Sequence, residues 1–236
     1  MQILKDIEAL ANPSKVKFLS GFFKTGPGEY GEGDVFLGLT VPQSREIAKK
    51  YITLVFNDIE KLLKSNIHEH RLIALLILVE RFRKANEEER KEIYEFYLNN
   101  TRFINNWDLV DLSADKIVGE HLFVNDKKKD ILYELVRSNN LWERRIAIIA
   151  TFAFIKKGKF DDTFAITELL MQDKHDLIHK AVGWMLREVG KRNRDAEEGF
   201  LMKYYKKMPR TMLRYAIERF DDKKRKFYMK KQNMGS

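Results

Sequence analysis

One short pattern returns four times along this chain, and it limits the fold more than any other feature. The segments HRLIALLIL from His70, ERRIAIIAT from Glu143, HKAVGWMLR from His179 and LRYAIERF from Leu213 each set a basic residue against an apolar stripe at helical spacing. Arg71, Arg145, Lys180 and Arg214 take equivalent places, at steps of 74, 35 and 34 residues. The long step spans two repeats, and the member between them falls at Asp108–Asp111, reading DLVD. A unit of this length, made of a shorter and a longer helix, buries its apolar face only by stacking on its neighbours. The expectation is an all-α solenoid of helical hairpins. Four prolines in 236 residues and little strand-type alternation point the same way.

The chain reads as a single domain, 1–236. Residues 1–56 carry N-terminal helices and a glycine-rich segment at 24–39. Residues 57–220 carry the repeats, and 221–236 form a basic tail. Repeat helices are expected at 58–64, 67–85, 87–98, 106–122, 127–137, 141–156, 161–171, 175–191, 196–207 and 209–220, followed by a tail helix at 222–231 with Phe227 and Tyr228 docking. The closing Met-Gly-Ser reads as loose. The segment KTGPGEYGEGDVFLGL, from Lys24 to Leu39, holds Gly26, Gly28, Gly31, Gly33 and Gly38. Two readings stand equal: glycines that let backbone approach a phosphate, or a crossing between helices.

Hydrophobic residues make up 44% of the chain, ample for a packed core. Without cysteine there is no disulfide, thiol nucleophile or cysteine-type zinc site. No apolar run approaches membrane-spanning length and the N-terminus lacks a secretory pattern, so a soluble cytoplasmic protein is expected. The net charge of +9 suits a polyanionic partner. A row of cations along one side of a curved solenoid would grip a duplex backbone, although a solvated basic ridge is the commoner meaning of such repeats. Arg71, Arg145, Lys180 and Arg214 are the candidates, with Arg45 and Arg187 beside them.

The acids at DLVD interrupt that row, which a phosphate-binding surface should avoid unless an acid has work there. The surrounding stretch, Asn105 to Leu122, is expected to be one helix capped by Asn105 or Asn106, with Trp107, Val110, Asp111, Ala114, Ile117 and Val118 recurring along it. Trp107 and Asp111 stand four apart, on one face. Trp142 reads as core. Trp184 shares a face with Lys180 and reads as a site residue. Aromatic faces beside a carboxylate suit a ligand carrying positive charge, such as an alkylated purine, or the oxocarbenium-like sugar that forms when a glycosidic bond breaks. Asp111 would stabilise that charge or orient a water. No matching general acid is apparent; Asp115, one turn on, carries no sign of burial. The leaving base must then already be cationic. His68/His70 and His175/His179 have spacings that could bring two imidazoles together, the second pair at helical metal-ligand spacing, but no third ligand is apparent, so no metal is expected. No phosphate-binding loop or nucleophile elbow is present.

Four stretches, VFLGLTVPQSRE, NNWDLVD, LWERRIAI and HKAVGWMLRE, together resemble the AlkD-type DNA alkylation repair enzymes, HEAT-like-repeat DNA glycosylases, over nearly the whole chain. The resemblance implies HEAT-like repeats with a concave basic face. It implies a catalytic pocket of Trp107, Asp111 and Trp184, with Arg145 on the DNA backbone near the lesion. The implied activity is monofunctional excision of 3-methyladenine and 7-methylguanine from double-stranded DNA, without cofactor, by a monomer. The alternative is a non-catalytic, structure-selective DNA-binding repeat protein.

Overall fold

The computed structural model describes residues 1–125 and 130–230. Among these the chain is helical, with one isolated bridge between Val35 and Ile67. It divides into two compact units, 1–121 and 122–236. No helix is long and apolar enough to cross a membrane.

The first unit holds α1 (Gln2–Glu8), α2 (Pro13–Phe22), α3 (Val41–Lys50), α4 (Phe56–Leu63), α5 (His68–Lys84), α6 (Glu87–Asn99) and α7 (Trp107–Asp111). Its centre is α5. From His68 to Val79 every residue of this helix is buried, because α3, α4, α6, α7 and the turn at 115–119 all pack on it. A helix enclosed on all sides shows little amphipathic contrast. Starts are set by the expected signals. Asn12 caps α2 ahead of Pro13, and Thr40 and Gln43 form a capping box on α3.

The second unit holds α9 (Asp130–Leu135), α10 (Leu141–Ala150), α11 (Phe152–Ile155), α12 (Asp161–Leu170), α13 (Asp176–Gly190), α14 (Arg194–Tyr204), α15 (Arg210–Ala216) and α16 (Asp222–Met229); α8 (Glu120–Val124) runs across the boundary between the units. Its centre is α13, which α10, α11, α12, α14 and α15 cover. Gly183 lets α15 close in: a Cβ there would lie 2.4 Å from the Met212 carbonyl oxygen. Tyr228 of α16 docks edge-on against Phe220 and Tyr205, whereas Phe227 stays exposed. The expected helix starts at 127–129, the last residue of the tail helix at 231 and the terminal Met-Gly-Ser lie outside the described residues.

The expected helix across 106–122 is not one regular α-helix. α7 ends at Asp111, and a π-helical turn occupies Asp115–Gly119 before α8 begins. Buried Tyr97 and Ser113 share a hydrogen bond of 3.0 Å, and Ser113 donates to the Leu109 carbonyl at 2.5 Å. These bonds secure the break just past Asp111. Such π turns are rare single-turn interruptions of α-helices, and the helical spacing read from the sequence did not reveal this one.

The glycine-rich segment crosses the first unit and is fastened to α5. The Glu69 carboxylate accepts the backbone N–H groups of Leu37, Gly38 and Leu39 at 2.8–3.2 Å. Gly38 has φ +91° and sits where a Cβ would meet the Asn12 carbonyl oxygen at 2.2 Å, which only glycine permits. At the other end, Gly26 and Gly28 donate to Glu29 and Glu32. The amides that could cradle a phosphate are bound to the protein's own carboxylates, which favours the crossing.

Candidate active site

α7 begins at Asn106, whose side-chain oxygen accepts the Trp107 N–H at 2.8 Å. Trp107 and Asp111 then fall one turn apart on one face, and both are half-buried. The Trp107 ring stacks on Phe23 at 5.2 Å and 14°, and meets the edge of Phe22 at 5.7 Å. Aromatic pairs of this kind contribute about 0.5–1.5 kcal/mol each beyond area burial. Phe22 in turn stacks on Phe18, and these two rings are 52% and 70% exposed. α2 has no buried residue; its apolar rings extend the Trp107 aromatic face into solvent. Sequence reading missed Phe22 and Phe23, although Phe18 and Phe22 stand at i and i+4 on α2.

Behind α7 lies a buried ionic cluster that sequence reading also missed. His68 Nε2 bonds Asp108 Oδ2 at 2.8 Å, and His68 Nδ1 bonds Asp34 Oδ2 at 3.1 Å. Arg71 pairs with the other Asp34 oxygen at 2.6 Å and donates to the Ser65 carbonyl. Asn106 donates to Asp34 at 3.3 Å. Burial alone would pull the His68 imidazole down. The charge and hydrogen bond of Asp108, with the hydrogen bond of Asp34, outweigh it and push His68 up to about 9. Burial likewise favours a protonated Asp34, but the His68 hydrogen bond and the Arg71 charge hold its carboxyl below the usual range.

In the second unit, Trp184 is half-buried and donates its indole N–H to Glu188 at 3.2 Å. Glu188 also binds Lys191 and Arg192. Burial opposes ionisation of Glu188, but those two cations lower its pKa below the usual carboxylate range. The charged partner of Trp184 is therefore Glu188, where the sequence suggested Lys180. Lys180 pairs with Asp176 at 2.7 Å. Trp142 is buried, as its core reading expects.

The row of cations separates into three kinds. Arg71 is 3% exposed and committed to Asp34, so it anchors the glycine-rich segment and cannot reach a phosphate as it stands. Arg145 is 4% exposed and donates to the Leu177 carbonyl at 2.5 Å. Arg187 pairs with Glu218. Arg214 is exposed and Arg45 half-buried. The expectation of equivalent phosphate contacts overlooked the fact that the start of α5 is buried along with its charges. Asp115 is buried and pairs with Lys116 at 2.8 Å.

His175 caps α13, and His179 bonds the Asp173 carbonyl. Among the described residues no three His, Asp or Glu side chains stand close enough together to hold a metal ion.

Several solved structures share this fold. A predicted DNA alkylation repair enzyme from Enterococcus faecalis superposes with a TM-score of 0.71 at 18% identity, covering 90% of this chain and 97% of that one. AlkD2 from Streptococcus mutans gives 0.55 at 19%, covering 87% and 98%. Smu.31 from Streptococcus mutans UA159 gives 0.51 at 21%, covering 75% and 89%. No curated protein matches the chain. The family model described as DNA alkylation repair enzyme matches residues 3–220, nearly the whole sequence, and the chain belongs to that family.

Proposed function

We propose that this protein is a monofunctional DNA glycosylase that hydrolyses the N-glycosidic bond of cationic N3- and N7-alkylpurines, 3-methyladenine and 7-methylguanine, in duplex DNA. The observation that carries the reading is α7, which holds Trp107 and Asp111 one turn apart on a face backed by fixed aromatic rings and a buried ionic cluster.

Asp111 is the catalytic carboxylate. It stabilises the oxocarbenium-like sugar as the bond to the base breaks, or it orients the attacking water. Trp107 offers its ring face to the positive charge of the lesion. Trp184, anchored by Glu188, serves as a second aromatic contact. Arg145 faces the backbone near the lesion if its bond to Leu177 is exchanged for a phosphate, and Arg45, Lys180, Arg187 and Arg214 are phosphate contacts. The C–N bond breaks, the base leaves with the bonding electrons, which neutralise its charge, and water adds to the sugar carbon and gives up a proton to solvent. An abasic site remains. No lysine is assigned a Schiff-base role, so the strand stays intact. A base that is already cationic leaves without a general acid.

The test is a substrate panel: duplexes carrying 7-methylguanine, uracil or 8-oxoguanine, scored for base release and for strand breaks before and after alkali. Release of 7-methylguanine alone, with breaks only after alkali, is expected. Release of uracil or 8-oxoguanine at a comparable rate would refute the requirement for a cationic leaving group.

A further inference from the structure

The cluster behind α7 spans two segments far apart in sequence. Asp34 belongs to the glycine-rich segment and Asp108 to α7, and His68, at the first position of α5, bonds both. Bonding two carboxylates through both ring nitrogens requires two N–H donors, which only the imidazolium has. The ring is 2% exposed and packs against both Phe23 at 4.8 Å and Phe36 at 4.7 Å, which also stack on each other at 5.1 Å. Phe23 is also the ring on which Trp107 stacks. His68 therefore reaches Trp107 by two routes, through the carboxylate of its chain neighbour Asp108 and through the shared ring of Phe23.

We propose that His68 is a positioning residue for the Trp107–Asp111 face: its imidazolium latches the glycine-rich segment to α7 and fixes the orientation of Trp107, and removing its proton releases the latch. This rests on the glycosylase reading for its effect on rate, but not for its effect on Trp107. The charged groups facing the ring are Asp34 from the glycine-rich segment, Asp108 from α7 and Arg71 from α5; Phe23, at the end of α2, presents only its ring.

A neutral imidazole keeps one N–H and can serve one carboxylate only. The other carboxylate then faces a lone pair and is repelled. Asp34 retains Arg71 and Asn106 as partners, whereas among the described residues Asp108 retains the Leu109 N–H at 2.9 Å. Either way one side of the latch opens. The cation persists at neutral pH because the imidazole titrates at about 9 rather than near 6.5. The latch thus holds below about pH 9 and loosens above it.

The full-length protein and its His68→Gln variant provide the test, read three ways from pH 7 to 10. The readings are the His68 ring resonances, the Trp107 indole N–H resonance (assigned with Trp107→Phe), and single-turnover release of 7-methylguanine alongside duplex affinity. In the wild type the Trp107 resonance and the release rate are expected to move with the His68 titration, while affinity holds. In His68→Gln both become independent of pH, with the rate lower by roughly ten- to a hundredfold, the scale of a misplaced catalytic group. A Trp107 resonance unchanged by the variant, or a His68 titration near 6.5 with Trp107 indifferent to it, overturns the proposal. Should the wild type release no base, the glycosylase reading fails, and the two resonances still decide the role of His68. Should His68→Gln not fold, Asp108→Asn takes its place: it must lower the His68 midpoint and move Trp107 with it, and no change in either refutes the latch.

Discussion

Gly183 immediately precedes Trp184, and its replacement by alanine is expected to harm the second unit although alanine is the better helix former. The added Cβ would lie 2.4 Å from the Met212 carbonyl oxygen, 2.5 Å from Tyr215 Cβ and 3.2 Å from the Ala216 nitrogen. Ordinary contact begins at 3.4 Å, so α15 must withdraw by the difference, 3.4 − 2.4 = 1.0 Å. None of the three atoms is the free end of a side chain, so the strain falls on backbone. Overpacking of this kind costs about 1–3 kcal/mol, and here the upper end applies. Alanine recovers about 1 kcal/mol through helix propensity. The net is a loss of about 2 kcal/mol. The assay is urea unfolding followed by tryptophan fluorescence in a Trp107→Phe background, where Trp142 and Trp184 both report on the second unit. A Gly183→Ala protein as stable as its parent, or about 1 kcal/mol more stable, would refute the close approach of α13 and α15.

Two further outcomes follow from buried charge. Burial pushes the Glu197 carboxyl up to about 8 despite Arg194 beside it. The unfolded chain gives up that proton near 4.5, so the wild type loses stability as pH climbs from about 4.5 to about 8. Glu197→Gln should match the wild type at low pH and exceed it by about 1–3 kcal/mol above pH 8; parallel stability curves would dismiss the shift. Among the cations, Arg214→Ala should flatten the log-log salt dependence of duplex binding by about one. Arg71→Ala should instead cost about 1–3 kcal/mol of stability, because the buried Asp34 loses its guanidinium and keeps His68 and Asn106, and a purely salt-dependent binding defect would reverse that assignment.

The all-helical fold was legible because apolar spacing, asparagine caps and proline at helix starts act locally. The pairing of Trp107 with Asp111 on one face was legible for the same reason. The interruption after Asp111 was not, since the Tyr97–Ser113 bond beside it comes from the packing of α6. The fastening of the glycine-rich segment depends on Glu69, thirty residues beyond Leu39. The Asp34–His68–Asp108 cluster joins residues separated by 34 and 40 positions. Arg71 was read as a surface cation because it takes the place of Lys180 and Arg214 in the repeat; burial all round α5 turned it inward, and Arg145 is buried likewise. The partnership of Trp184 with Glu188 was within reach, since four-residue spacing applied forward from Trp184 finds it.

The central claim is that Asp111 performs chemistry on a lesion in DNA. The most direct measurement is single-turnover release of 7-methylguanine from duplex DNA by the wild type and Asp111→Asn, with binding to the same duplex measured for both. Asparagine keeps the size and removes the charge. The account predicts release by the wild type, a rate lower by roughly a hundredfold or more in Asp111→Asn, and equal binding. Release by Asp111→Asn at the wild-type rate would contradict the assignment, and tight binding with no release by either would leave a DNA-binding protein without the proposed activity.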